Sequence, residues 1–243
     1  MVRVLTWNLQ GSHGVDIDAA AAVIRSAEPD VVALQEVQRR HAAALAAALS
    51  MTRRWAFKHW PVVDPAEGLA ILSRAELRRT ATFSLRRAPF WDWRRRIGLG
   101  ATVAIEGRDV GIADVHLSPH REVERRRREA ARTLARTAHG PRPIIVGDLN
   151  DCPGAGAHTA FLAAGWIDAW SAVHGEEAGP TNWTAGDRIG RPPTQRIDYV
   201  LAPPGSTVDA CAVLADAARY DDIAAISDHL PLAATIRLGG EVA

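Results

Sequence analysis

Val31-Val32-Ala33-Leu34-Gln35-Glu36 is an apolar run that ends on an amide and a carboxylate. Four consecutive apolar residues without alternation, just after Pro29-Asp30, read as a strand buried on both faces. Upstream, Val2 to Trp7 is a second β-type run that reaches Asn8. Between the two, Gly11 and Gly14 mark a loop, and Asp16 can cap a helix with Ile17, Ala20, Ala21 and Ile24 on one face. Strand, helix and strand at this spacing make a βαβ unit, whose strands are parallel. Asn8 and Glu36 then emerge at the same edge of a sheet.

Beyond that unit, His41 to Leu49 reads as an Ala-rich helix, and Trp55–Trp60, Gly68–Ser73 and Leu77–Leu85 as strands. Ile97–Ile105 and Val110–Leu117 flank Glu106-Gly107-Arg108-Asp109, a hairpin signal with a loop of about four residues. Arg121–Ala138 reads as a long helix with Val123, Ala130, Ala131 and Leu134 inward, and its run Arg125 to Arg128 as part of a solvated outer surface. Ala155–Ala164 is a short helix with Gly165 past its end, 175–193 a loop, and Arg196–Leu201, Val208–Leu214 and Leu232–Leu238 the last strands. No internal repeat or low-complexity linker divides the chain, so residues 1–243 are read as a single domain. Many strands with few helices between them suggest two sheets face to face with helices outside.

The bulk properties narrow the possibilities. With 243 residues, 47% of them hydrophobic, the chain can bury a large core. A net charge of +1 gives no global field to draw in a polyanion. Cys152 and Cys211 form no Cys-x-x-Cys pair, which argues against a zinc ribbon and for free thiols. The N-terminus lacks a signal-like apolar segment, and no apolar run approaches the roughly 20 residues of a membrane span. The expectation is a soluble cytoplasmic protein with no membrane association and no obligate protein partner.

Four further apolar runs end in polar groups: Thr6-Trp7-Asn8, Asp114-Val115-His116, Ile145-Val146-Gly147-Asp148-Leu149-Asn150 and Ser227-Asp228-His229. Glu36 suits Mg²⁺, a hard cation that takes oxygen ligands, and Asp228 is a second candidate. Asp228 and His229, adjacent on an extended chain, point to opposite faces. Asp198, inside an apolar strand, can partner His229, or else pair with Arg196 as a structural ion pair. Asp148 and Asn150 alternate about Leu149; the carboxylate can take a proton from water, and the amide can donate to a phosphate oxygen. The same residues are good turn chemistry.

Taken in order, Thr-Trp-Asn-Leu, Leu-Gln-Glu-Val, Gly-Asp-Leu-Asn, Arg-Ile-Asp-Tyr and Ser-Asp-His-Leu-Pro resemble the motifs of the endonuclease/exonuclease/phosphatase superfamily, the DNase I-like phosphoesterases. The resemblance runs from residue 6 to residue 231. It implies an α/β fold, a four-layer sandwich of two packed mixed β-sheets flanked by helices, and Mg²⁺-dependent hydrolysis of a phosphate ester, with Mn²⁺ able to substitute. Carried over, Glu36 is the principal metal ligand, Asn8 a metal-side or phosphate-side residue, and Asp228 an aid to a second metal position. Asp148 and Asn150 line the attack position, and Asp198 with His229 acts at the phosphate. Val115-His116-Leu117 matches a segment that puts His116 on the phosphate or leaving group, and Glu67 stands where the family places a carboxylate supporting that His. Asp114 departs from the family's usual Asn. Asp148 is the favoured base, with His229 as rival.

For the substrate, Arg86 to Arg96 interleaves Arg with aromatics, and Arg94 and Trp93 are candidate contacts to a DNA or RNA backbone and its bases. Trp183 and Asn182 are further substrate-side candidates. Asn182 and Gln195 stand where abasic-site endonucleases of this family carry pocket aromatics, which argues against that activity. The leading reading is a phosphodiesterase or nuclease acting on nucleic acid. The alternatives are a phosphoesterase for a small substrate (nucleotide, inositol or sugar phosphate, phospholipid head group) and, remotely, a non-catalytic binding protein on the same fold.

Overall fold

The computed structural model describes residues 1–59, 66–86, 96–119, 122–138, 142–184, 188–215 and 219–239. Its first half runs β1 (Val2–Asn8), α1 (Ile17–Ser26), β2 (Val31–Gln38), α2 (Arg39–Ala48), β3 (Thr52–His59), β4 (Glu67–Ser73), β5 (Leu77–Ser84), β6 (Ile97–Ile105) and β7 (Arg108–His116). Then follow α3 (Val123–Thr137), β8 (Ile144–Asp148), α4 (Gly156–Ala163), β9 (Ile167–Asp168), α5 (Ala169–His174), β10 (Asp198–Ala202), β11 (Thr207–Val213), α6 (Tyr220–Ile226) and β12 (Leu232–Arg237).

The strands form two six-stranded sheets, ordered β11-β12-β1-β2-β4-β3 and β5-β6-β7-β8-β10-β9. Each is mixed: β1 and β2 pair parallel in the first, β7 and β8 in the second, and the neighbouring pairs are antiparallel. Successive strand residues face opposite ways, and the core divides accordingly. Val4, Val31, Ala33, Ile71, Ile112, Ile144 and Val146 fill the space between the sheets. Leu5, Trp7, Val32 and Leu34 face the other way, against Ala20 and Ile24 of α1, Leu45 of α2 and Ile223 of α6. Ile145, Tyr199 and Leu201 pack on Ala130 of α3 and Phe161 of α4. The result is helix, sheet, sheet, helix. Among the described residues, no helix is long and apolar enough to cross a membrane.

The βαβ unit forms as its sequence predicts, with the Asp16 side chain accepting from Ala19 N at the start of α1. Three readings need correction. The β6–β7 hairpin turns on two residues rather than four: Glu106 and Gly107 have φ of 49° and 76°, the double left-handed geometry that a two-residue turn requires. In α3, Val123 and Ala131 are exposed, while Arg126 and Glu129 are buried. The short helices α5 and α6 lay outside the sequence reading.

Candidate active site

The two parallel pairs, β1/β2 and β7/β8, end beside one another, Asn8 in register with Gln35 and His116 with Asp148. The strands carry their polar termini to this edge because crossovers return each chain to the same end of its sheet. Two backbone features aim the side chains. Pairing of β2 with β4 shifts register between Leu34 and Val37, and Glu36 within that bulge has φ 51°. A left-handed residue in a bulge takes its side chain out of the strand's alternation, a strained geometry common at functional sites. Gly147, at φ 129°, precedes Asp148; a Cβ there would overlap the Val115 carbonyl oxygen of β7. Only glycine lets the two strands meet this closely at the site.

Asp148 is 2% exposed, and both its oxygens are held. Asn150 N donates to Oδ1 at 2.7 Å and Asn8 Nδ2 to Oδ2 at 3.1 Å. Asn150 has left the strand at φ 51°, so the turn and the site coincide in one segment; its own amide donates to Leu117 O at 3.1 Å. Asn8 Oδ1 accepts from Gln10 N, so the Asn8 amide bridges the backbone and Asp148.

His229 Nδ1 lies 2.8 Å from Asp198 Oδ2. Thr181 Oγ1 donates to the same oxygen at 2.7 Å, while Oδ1, also buried, has no hydrogen-bond partner. Arg196, the alternative partner for Asp198, instead donates to Asp168 Oδ2 at 2.7 Å. The far side of His229, Nε2, faces Asp148 Oδ2 at 3.9 Å and Asp228 Oδ1 at 4.0 Å. Burial alone would lower the His229 pKa, but the charge and hydrogen bond of Asp198, then Asp148 and Asp228, raise it from 6.5 to about 10. Burial raises Asp148 to about 7; His229 opposes the rise and Asp198 adds to it. The segment is laced to β1: Trp7 Nε1 donates to His229 O at 2.8 Å, and Ser227 Oγ to Asn8 O at 2.6 Å.

On the opposite side, His116 Nε2 faces Asp148 Oδ2 at 3.6 Å and Glu36 Oε1 at 3.8 Å. At Nδ1, Lys58 Nζ stands at 2.9 Å. Lys58 is 1% exposed and 4.0 Å from Glu36 Oε1. Burial and then Arg96 lower its pKa to about 8 against the pull of Glu36, Glu67 and Asp148. Glu67 is buried at the start of β4, and its charge acts on Lys58. Asp114, two residues before His116 on the same face of β7, is fully buried beneath the site; Gln35 Nε2 donates to its Oδ1 at 2.7 Å, and burial holds its carboxyl well above the usual range.

Two donor sets could hold a cation. Asp148, Asp198 and His229 each bring one donor atom within 4.8 Å of the others, so a possible metal site is present. Within it, however, the Asp198–His229 contact is a hydrogen bond, which suits proton handling. Glu36 and Asp228 have side chains 27% and 30% exposed. Burial raises the Asp228 pKa; His229 opposes the rise and Glu36 adds to it. Two carboxylates repelling one another at a solvent-facing edge fit a hard divalent ion. Gln10 Nε2 donates to Asp228 Oδ2 at 3.1 Å, and Arg188 to Gln10 Oε1 at 2.7 Å.

The structure thus brings together Asn8, Glu36, His116, Asp148, Asn150, Asp198, Asp228 and His229. It does not bring Trp183 to the cleft: that ring is 5% exposed, packs edge-on against Tyr220 and donates to Arg191 O, so it is core. Asn182 spends its amide on Asp228 O. Trp93 and Arg94 lie outside the described residues.

Sequence reasoning passed over Lys58 and Thr181. Lys58 is the chain's only Lys and shares a strand face with buried Ala56, a signal that was there to find. It also passed over two side chains of α3 that hold the loops after β7 and β8. Arg126 donates to Asp151 Oδ1 at 2.9 Å and Pro119 O at 3.0 Å, and Glu129 accepts from Ser118 N at 2.8 Å and its hydroxyl at 2.6 Å.

A sequence profile described as Endonuclease/Exonuclease/phosphatase family matches residues 5–229. No curated protein matches. Among solved structures, an endonuclease/exonuclease/phosphatase family protein from Leptotrichia buccalis is 20% identical, covers 98% of this chain and 100% of its own, and superposes with a TM-score of 0.79. TDP2 of D. rerio, complexed with single strand DNA product, is 20% identical over 97% of this chain and 98% of its own, TM-score 0.70. A mannosyl-6-phosphatase of Bacteroides thetaiotaomicron is 16% identical over 98% and 100%, TM-score 0.73.

Proposed function

The chain belongs to the endonuclease/exonuclease/phosphatase family, and from that premise we propose that it is a Mg²⁺-dependent hydrolase that cleaves phosphodiester bonds in nucleic acid. The observation that carries the reading is the buried line Asp198–His229–Asp148, opposite the partly exposed carboxylates of Glu36 and Asp228. Asp148, Oδ2 held by Asn8 and Oδ1 by Asn150, sits near neutrality and takes the proton of an attacking water. His229 keeps its proton through the neutral range and presents it on Nε2 to the leaving oxygen, while Asp198 fixes Nδ1. The balance is one O–P bond formed, one P–O bond broken, one proton to Asp148 and one from His229. Glu36 and Asp228, with Asn8 behind them, would hold Mg²⁺, which when bound supplies positive charge to the phosphate oxygens. TDP2, one of the similar folds, was captured with a DNA product.

A panel of plasmid DNA, single strands, abasic duplex, RNA, nucleotides and a chromogenic bis-ester, run with Mg²⁺ and with EDTA, tests this. The expected outcome is metal-dependent cleavage of nucleic acid that falls when Trp93 and Arg94 are both replaced by Ala. Full metal-dependent activity in Glu36→Ala or His229→Ala refutes the site. A small phosphate ester is the second reading, favoured by the net charge of +1, which offers a polyanion no general attraction. Turnover confined to nucleotides or sugar phosphates in the same panel selects it.

A further inference from the structure

We infer that Gln10 is a positioning residue: keyed by Arg188, its side-chain amide clamps one oxygen of the Asp228 carboxylate and leaves the other, Oδ1, turned to the cleft. The inference rests on the reading of Asp228 as part of a cation site, and it concerns what holds that carboxylate still.

Gln10 lies just past β1 and leaves the strand at φ 44°, a left-handed geometry that residues other than glycine rarely adopt. Its polar groups reach three parts of the site. Gln10 N donates to Asn8 Oδ1 at 3.1 Å, Nε2 donates to Asp228 Oδ2 at 3.1 Å, and Oε1 accepts from Arg188 Nη1 at 2.7 Å. Asn8 in turn donates to Asp148, so one chain of hydrogen bonds runs from Asp148 through Asn8 and Gln10 to Asp228.

Arg188 decides which way the Gln10 amide lies. A guanidinium carries only donors and stays charged in proteins, so the amide oxygen must face it. The NH₂ group then faces Asp228 Oδ2, and the assignment needs no titrating proton. Arg188 is itself anchored, its Nε donating to Ala224 O in the last turn of α6, the helix that delivers Asp228. The Asp228 main chain is fixed separately: its carbonyl accepts from Asn182 Nδ2 and Trp183 N, each at 3.1 Å. With Oδ2 held by Gln10, Oδ1 is the oxygen 4.0 Å from His229 Nε2, on the cleft side. A hydrogen bond behind a ligating carboxylate sets its direction before an ion arrives, and losing such a partner typically costs about ten- to a hundredfold in metal affinity.

The role of Arg188 gives the test a diagnostic sign. Its positive charge acts on Asp228. Were charge its whole effect, removing Arg188 would tighten cation binding. Because it keys Gln10, removing it is expected to weaken binding. The measurement is Mg²⁺ calorimetry on the metal-free protein, with no substrate present. Gln10→Met, close in length, is expected to weaken Mg²⁺ about tenfold with the thermal transition little altered. Arg188→Met is expected to weaken it about three- to tenfold. Arg188→Lys, which keeps a cation that only donates, is expected to stay within about twofold of wild type. Gln10→Met and Arg188→Met together are expected to be no more than about twofold weaker than Gln10→Met alone, the non-additivity of residues that act through one another.

Unchanged or tighter Mg²⁺ binding in Arg188→Met overturns the proposal, as does a double variant whose penalty is the product of the two. If Gln10→Met does not fold, the two Arg188 variants decide alone. Side-chain ¹H–¹⁵N spectra of the metal-free protein keep the clamp and the cation reading apart. The Gln10 NH₂ group is expected to show one proton shifted downfield by the carboxylate, moving back in Arg188→Met. A wild type with that signature that binds no Mg²⁺ sinks the cation reading and leaves the clamp standing, and a Gln10 NH₂ group at ordinary shifts sinks the clamp.

Discussion

Asp198→Asn isolates the charge that holds His229 protonated. The substitution keeps the shape: an Asn oxygen can accept from both Thr181 Oγ1 and His229 Nδ1, as Asp198 Oδ2 does, and the new NH₂ falls where Oδ1 already lacks a partner. What disappears is the negative charge. Two unit charges 2.8 Å apart interact by about 6 kcal/mol at an effective dielectric near 20. The rise of His229 from 6.5 to about 10 corresponds to about 5 kcal/mol, gained against a burial that would lower it. The attraction is therefore large enough to account for the rise. Without it, only the weaker pull of Asp148 and Asp228 opposes burial, the imidazolium is disfavoured, and the proton donor to the leaving oxygen is depleted. The expected outcome is a fall in kcat of about 10³-fold, within the usual range for loss of general acid–base catalysis, with Mg²⁺ affinity and the thermal transition little altered. The assay is steady-state hydrolysis of a bis-ester at pH 7, with ring ¹⁵N shifts reading the charge on His229. Retention of more than a tenth of wild-type kcat, or a His229 still charged at pH 7 in the variant, refutes the reasoning.

Three more outcomes follow from the same geometry. Glu36→Gln is expected to abolish Mg²⁺ binding in calorimetry and to lower metal-dependent turnover by at least about 10²-fold, since a neutral amide is a poor ligand for a hard cation. Asp114→Asn is expected to stabilise the fold near neutral pH. A carboxyl whose folded pKa is raised contributes stability below its unfolded pKa and loses it as pH rises, so the variant's advantage should grow from pH 4 upward, melting about 2–4 °C higher per kcal/mol of penalty removed. Asp168 has the opposite sign. Burial raises its pKa, but His158 and Arg196 overcome this and hold it at about 2, below 3.8, so its stabilisation of about 2 kcal/mol is present above pH 4 and lost as pH falls toward 2; Asp168→Asn should flatten that part of the acid-unfolding curve.

Where the sequence was legible, one physical force dominated. Continuous apolar runs in β2 and β8 gave buried strands, Asp16 marked a helix start, and the polar residues closing each run fell at one sheet edge because parallel crossovers put them there. The failures share a cause: charged residues that are buried because they are paired. Arg126 and Glu129 look like a solvated helix face until Asp151 and Ser118 are folded onto them. Lys58 looks like composition noise until His116 comes within reach, 58 positions along the chain. Trp183, a substrate-side candidate in the sequence, is core for a different reason, since only the placement of Tyr220 shows which side of it is filled. The turn at Glu106-Gly107 was misjudged because a Glu at positive φ carries no local signature.

The lacing of β1 to the segment that precedes β12 has a consequence for biosynthesis. Trp7 and His229, joined by a hydrogen bond, are 222 positions apart. At about 5–20 residues per second, translation supplies the second roughly 10–40 s after the first. Until then β1 lacks its β12 neighbour and Asp198 has no imidazole to orient. Ribosome-bound and prematurely terminated chains should therefore be inert toward phosphate esters, and catalytic competence should appear all at once, with the arrival of the last strand.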